Sequence, residues 1–216
     1  MKAVLCGSIG VLAETSDWQR QAYNQAFAEA GLPLHWNIAT YCDALTIVGG
    51  KNRLNTILAD YGDDKMVADI HARKEQIFAD MLRTHALEPR DGIVELLQSC
   101  IAQGIHIGFV TTTTKKQLDS ILHALSDHIS ADDFSVITSK DDCQAEKPAT
   151  DIYHYALNRL GLDAGDVVAI EDTEMNQQAA TNAGIFCHLM AGDYARITTG
   201  ENRIYSATDV IMKKAA

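Results

Sequence analysis

The sequence predicts an α/β protein, a doubly wound, Rossmann-like parallel-sheet core with an inserted all-helical domain. After Pro89, apolar runs at 105–110, 134–138, 167–170 and 185–190 alternate with segments of helical period, the rhythm of parallel strands crossed over by helices. Between a first apolar run at 2–6 and Pro89, only helical patterns occur. Polar clusters stand where runs end, at Gly7–Gly10, Thr111–Thr114 and Glu171-Asp172-Thr173, the edge at which such sheets meet ligands.

Each element has its own local reason. Residues 2–6 are short and apolar, and Gly7-Ser8-Ile9-Gly10 places two glycines in four residues, which predicts a tight turn. Trp18, Ala22, Phe27 and Ala30 recur at helical spacing over Asp17–Ala30, and Gly31-Leu32-Pro33 stops that helix. Helical patterns continue at Ile38–Ile47, Lys51–Tyr61 and Lys65–Thr84, and the insert closes at Glu88-Pro89. Helices are then expected at Ile93–Gln103, Lys116–Leu125, Asp151–Leu160 and Thr173–Ala183. The division is an α/β core at 1–14 and 89–216 and a helical insert at 15–88.

Of 216 residues, 18 are Lys or Arg and 29 are Asp or Glu, a formal net charge of −11 that argues against nucleic acid and anionic membranes as partners. Cys6, Cys42, Cys100, Cys143 and Cys187 form no CxxC pair; five scattered thiols suit neither a disulfide framework nor a zinc site. The N-terminal apolar run is too short for a signal peptide, and no stretch approaches the ~18 apolar residues of a membrane span. A cytoplasmic protein, monomeric rather than assembled, is expected.

Thr111 follows one strand, Lys147-Pro148 precedes a helix, and Glu171-Asp172 follows another strand. A hydroxyl, an ammonium and two carboxylates at strand ends suit a phosphate with a divalent cation. Singly, each has a plainer reading: Thr111 as a helix N-cap, Lys147 as a surface lysine, Glu171-Asp172 as further caps. In this order on an α/β pattern they are far more specific.

Over nearly its whole length the chain resembles the haloacid-dehalogenase-like (HAD) phosphatases, and among them the CbbY-like and β-phosphoglucomutase subgroup. The resemblance rests on Ala3-Val4-Leu5, Gly10-Val11-Leu12-Ala13-Glu14-Thr15, Gly49-Gly50-Lys51-Asn52-Arg53, Phe109-Val110-Thr111-Thr112-Thr113, Glu146-Lys147-Pro148 and Ile170-Glu171-Asp172-Thr173. It implies that the insert is a cap. It also implies an Asp-x-Asp at the end of the first strand, the first Asp attacking phosphorus and helping to hold Mg²⁺, the second acting as general acid/base. Here those positions are Gly7 and Ile9, so no catalytic residue is assigned. Neither a hydrogen atom nor a butyl side chain can attack phosphorus or move a proton.

The other implied roles keep their residues. Thr111 and Thr112, with Ser8 and the backbone around it, would bind phosphate, and Lys147 would clamp it. Asp172 and Glu171 would remain for a metal, so Mg²⁺ is expected to bind weakly. Glu14, Lys51 and Arg53 would face the substrate from the hinge and cap. Lys74 matches a cap lysine in relatives, but its helical spacing reads as a solvated surface lysine. Gln19, Thr150 and Asn176 depart from the pattern. The expectation is a protein that binds phosphate or a sugar phosphate with little or no turnover. Two alternatives stand beside it: a hydrolase using Ser8 or a metal-activated water, and a non-catalytic interaction protein.

Overall fold

The structure, a computed structural model, describes residues 1–47 and 49–212; the last residues of the expected core, 213–216, lie outside it. In chain order the elements are β1 (Ala3–Cys6), α1 (Ile9–Leu12), α2 (Ser16–Glu29), α3 (Ile38–Ala44), α4 (Gly50–Ile57), α5 (Asp64–Thr84), α6 (Ile93–Ala102), β2 (His106–Phe109), α7 (Lys115–Ala124), β3 (Val136–Ile137), α8 (Asp151–Leu160), β4 (Val167–Glu171), α9 (Glu174–Asn182), β5 (Phe186–Leu189) and α10 (Asp209–Met212). The five strands form one parallel sheet in the order β3-β2-β1-β4-β5, the doubly wound α/β fold predicted.

β1 is the middle strand, and all four of its residues are fully buried, which is why it reads as an unbroken apolar run rather than an alternating one. Its odd and even positions serve different cores. Ala3 and Leu5 pack with Ile152, Tyr153, Ala156 and Leu157 of α8, whereas Val4 and Cys6 face the core shared with α6 and α7.

The turn expected at Gly7–Gly10 is wound into the short helix α1, and β3 keeps only two of the five residues its apolar run suggested. As the edge strand next to β2, it continues only while its backbone pairs with Gly108 and Phe109.

Among the described residues the segment between β1 and α6 holds helices and no strand, and α2 and α5 form its spine. Trp36 is buried beside Tyr23, Phe27 and Tyr41, with ring centroids 4.8, 5.1 and 5.4 Å away. Lys74 corrects the sequence reading: it is 4% exposed, pairs with Glu75 at 2.9 Å and stands over the rings of Tyr23 and Phe78. Its aliphatic stem fits an aromatic surface, and the π faces receive its charge.

Residues 191–200 lash the C-terminal side of the sheet to the helical segment. Tyr194 donates to Asp17, Arg196 pairs with Asp43, and the Asp193 N–H donates to Glu14 at 2.8 Å. At the far end of this loop, Glu174 accepts from the backbone of Thr198, Thr199 and Gly200 at 2.9, 2.6 and 2.9 Å. Burial alone would raise this carboxyl, but hydrogen bonds from Thr198, Gly200 and Thr199 hold it down at about 2. A depressed folded-state value means a contribution present above the ordinary carboxyl value of 4.5 and lost as pH falls toward 2. Protection of the Thr198–Gly200 amides from exchange, taken relative to the intrinsic rate at each pH, should therefore fall selectively below pH 4.5, and Glu174→Gln should show the low protection already at neutral pH. Protection factors unchanged between pH ~6 and ~3 would show that the loop does not depend on this charge.

No helix among the described residues is long and apolar enough to cross a membrane.

Candidate functional site

The register of the sheet assembles the site. Cys6 pairs with Phe109 on one side and Ile170 on the other, so Gly7, Val110 and Glu171 emerge side by side at the same edge. Gly7 N donates to Ile170 O and Val110 N to Cys6 O, each at 2.8 Å. Because side chains alternate along a strand, position 7 continues the face of Ala3 and Leu5, and position 171 continues that of Ala169. Both faces look toward α8. Positions 7 and 171 therefore aim at one volume.

With glycine at 7, that volume belongs to Glu171. A Cβ built on Gly7 would lie 2.2 Å from Glu171 Oε1 and 2.4 Å from the Tyr153 hydroxyl. Lys147 Nζ donates to Glu171 Oε1 at 2.5 Å, to Val110 O at 2.8 Å and to Gly7 O. The Tyr153 hydroxyl donates to the same Oε1 at 2.5 Å. Glu171 is fully buried and Lys147 4% exposed. Burial pushes the Glu171 carboxyl above its ordinary range, while the Lys147 ammonium pulls it back. Burial, reinforced by the Glu171 charge, drives the Tyr153 hydroxyl well up. The other Glu171 oxygen, Oε2, is enclosed without a hydrogen-bond partner among the described residues.

Two expectations are corrected by this cluster. Glu171, read as a metal ligand, is turned toward α8 and spent on Lys147 and Tyr153. Lys147, read as a free positive clamp, has three N–H protons and three protein oxygens to take them. Neither could be anticipated from position in the chain, because the partners lie 24 and 140 residues away.

Thr111 is 5% exposed at the end of β2. Its hydroxyl oxygen accepts from Thr113 N at 3.2 Å, which leaves its proton to donate, and its backbone N–H is held by Thr138 at 3.0 Å. It does not cap α7, since Thr114 does that by accepting from Gln117 N. Thr173 likewise caps α9, accepting from Asn176 N at 3.3 Å, which frees Glu171 and Asp172 from capping. Thr112 is half-buried beside Thr111. Ser8 Oγ is enclosed and unpartnered, and it does not cap α1. Cys6 is fully buried, and burial pushes its thiol up to about 12, too high for a useful thiolate.

Asp172 lies against the turn, where a Cβ on Gly10 would come within 2.2 Å of its Oδ2, and it accepts from Asn176 Nδ2 at 3.0 Å. The residues present do not make a magnesium site. Gly7 and Ile9 bring no side-chain oxygen, the Gly7 carbonyl and Glu171 Oε1 are taken by Lys147, and Asp172 is left as a lone carboxylate. Among the described residues, no three His, Cys, Asp or Glu side chains converge on a point that a metal could occupy.

The hinge and helical segment contribute unevenly. Glu14, expected at the substrate, spends its two oxygens on the Ser16 and Asp193 N–H groups at 2.7 and 2.8 Å. It is a hinge pin. Arg53 turns back to Ile47 O at 2.9 Å, with its Nε enclosed and unpartnered, while Lys51 is exposed. The Gly49-Gly50 turn does reach the sheet's edge, where a Cβ on Gly49 would lie 3.4 Å from Glu146 Oε2. His71 belongs to this cluster. Burial lowers its imidazole, Glu75 raises it, and the cations Lys74, Lys51 and Arg53 lower it further, leaving it below its ordinary value.

Sequence reasoning missed Tyr153 and Arg90. Tyr153 reads only as an apolar position of α8. Arg90, beside Pro89 at the close of the helical segment, donates to Gly10 O, Met190 O and Ala191 O, each at 2.7 Å, and so ties the hinge beneath the site.

This geometry, with a polar edge built on three parallel strand ends and a helical segment inserted after the first, has relatives. Residues 10–190 match the family described as haloacid dehalogenase-like hydrolase. The chain belongs to that family. It is 32% identical over 199 residues to the protein CbbY of Rhodobacter capsulatus, covering 91% of this chain and 88% of that one. It is 35% identical over 196 residues to the plasmid-borne CbbY of Cupriavidus necator, covering 86% and 76%. Among solved structures, a CbbY variant from Rhodobacter sphaeroides in complex with xylulose 1,5-bisphosphate superposes with a TM-score of 0.86 at 30% identity, over 95% of each chain. CbbY from the same organism in complex with phosphate gives 0.84 at 31%, over 94% and 93%. This haloacid dehalogenase-like chain is thus CbbY-like in sequence and fold.

Proposed function

We propose that this chain binds a small phosphorylated sugar, or phosphate itself, at the ends of β1, β2 and β4 and turns it over little or not at all. One observation carries the reading: the space at position 7 holds the carboxylate of Glu171, buried and ion-paired, rather than a nucleophile open to phosphorus. Ile9 leaves no acid to protonate a leaving group. Donors for an anion remain in the Thr111 hydroxyl, the enclosed Ser8 hydroxyl and the cations Lys51 and Arg53 of the helical segment. Complexes of CbbY with xylulose 1,5-bisphosphate and with phosphate point to the ligand class.

A Ser8 nucleophile would need a base within hydrogen-bond reach, and Ser8 Oγ has no hydrogen-bond partner among the described residues. A metal-activated water would need the carboxylates that Lys147 and Asn176 engage. Calorimetric titration with xylulose 1,5-bisphosphate, alongside a phosphate-release assay with and without Mg²⁺, tests the proposal. Binding with release at background is expected. Metal-dependent release from the unmodified protein, abolished by Asp172→Ala, would overturn it.

A further inference from the structure

We propose that Glu171 is the site's built-in counter-anion: it occupies Lys147 in the unliganded protein, and a phosphate gains Lys147 only by displacing it. The inference rests on the phosphate-binding reading above and identifies the side chain that sets its strength.

Lys147 has no spare proton. Two of its three acceptors, Gly7 O and Val110 O, are backbone atoms whose own residues are hydrogen-bonded into the sheet, Gly7 N to Ile170 O and Val110 N to Cys6 O. Those carbonyls cannot withdraw without breaking the ladder. The third acceptor is a side-chain carboxylate with rotatable bonds. It is also incompletely satisfied, since Oε1 takes both Lys147 and Tyr153 while Oε2 is enclosed with no donor. Of the three, Glu171 is the one that can leave.

Charge gives the same answer. Among the described residues Lys147 is the one cation bonded to Glu171, and Asp172 already brings a second carboxylate to the same edge, close enough to raise the Glu171 carboxyl further. Seating a phosphate while Glu171 stays would crowd three anionic groups around one ammonium. Exchanging one anion for another keeps the balance. Glu171 is thus an internal competitor, and the apparent affinity for phosphate is reduced by the fraction of molecules in which it is seated. A ligand that also reaches the cations of the helical segment is favoured over free phosphate, because it has further contacts with which to offset the displacement.

The experiment measures inorganic phosphate binding to the full chain by calorimetry, and by phosphate-dependent thermal shift, at constant ionic strength with chloride as control. Wild type, Glu171→Gln and Tyr153→Phe are compared. Glu171→Gln should bind phosphate at least about tenfold more tightly than wild type, because no competing charge remains. Tyr153→Phe, which removes one of the two bonds holding Glu171 without altering any charge, should move affinity in the same direction by about two- to fivefold. It keeps the test open where Glu171→Gln folds poorly. Equal or weaker phosphate binding in both variants, with wild-type binding intact, would overturn the displacement alone. Phosphate failing to bind any of the three proteins, while xylulose 1,5-bisphosphate also fails, would overturn the binding reading and this inference with it.

Discussion

Replacing Lys147 with methionine is expected to lower the unfolding free energy by about 3–5 kcal/mol, the range for a buried ion pair robbed of one partner. Methionine keeps most of the stem's volume, so the loss comes from charge. The Glu171 carboxylate, fully buried, would keep only the Tyr153 hydroxyl, and the Gly7 and Val110 carbonyls would each lose a donor. Glu171→Leu alone should also destabilise, since it strands the ammonium. The double variant Lys147→Met/Glu171→Leu should recover much of the loss, because replacing a whole buried pair by apolar groups is often neutral. Urea unfolding of the four proteins closes the cycle. A Lys147→Met loss below ~1 kcal/mol would mean that the pair is hydrated and of the ordinary surface kind.

The second large effect is catalytic and follows from the proposed function. Gly7→Asp/Ile9→Asp is expected to raise Mg²⁺-dependent hydrolysis of p-nitrophenyl phosphate by at least about 10³-fold, part of the roughly 10⁶-fold that removing one member of a catalytic unit takes away in hydrolases. A side chain at position 7 must first displace Glu171, whose Oε1 sits 2.2 Å from the new Cβ. The new carboxylate would then inherit Lys147 as its partner, and Glu171, losing that cation, would have to leave the buried cluster or take up a proton. The Tyr153 hydroxyl, 2.4 Å from the same Cβ, belongs to a buried ring on α8 and yields less easily, so adding Tyr153→Phe should increase the gain. Asp172→Ala should abolish it. A folded double variant as inactive as wild type would show that more than these two side chains was lost.

Much of this was legible in the chain itself. The alternation of apolar runs and helical segments after Pro89 is a local property, and it specified the parallel sheet; the strand-free stretch before Pro89 specified the helical segment. The absence of acids at positions 7 and 9 is a fact of sequence. What the tertiary structure decided is who fills the space so vacated. Strand alternation sends positions 7 and 171 to the same face, yet nothing local says that those two strands end level, that Tyr153 of α8 caps the gap, or that Lys147 reaches across from before that helix. Lys74 was misread for a similar reason: spacing places it on a helix face, and only the packing of α2 against α5 reveals the aromatic rings beneath it. Local patterns report which way a side chain points, because the backbone period sets it. The partner it meets is set by distant elements packed to near-crystalline density, where any volume one residue gives up is claimed by the nearest side chain able to satisfy its charge.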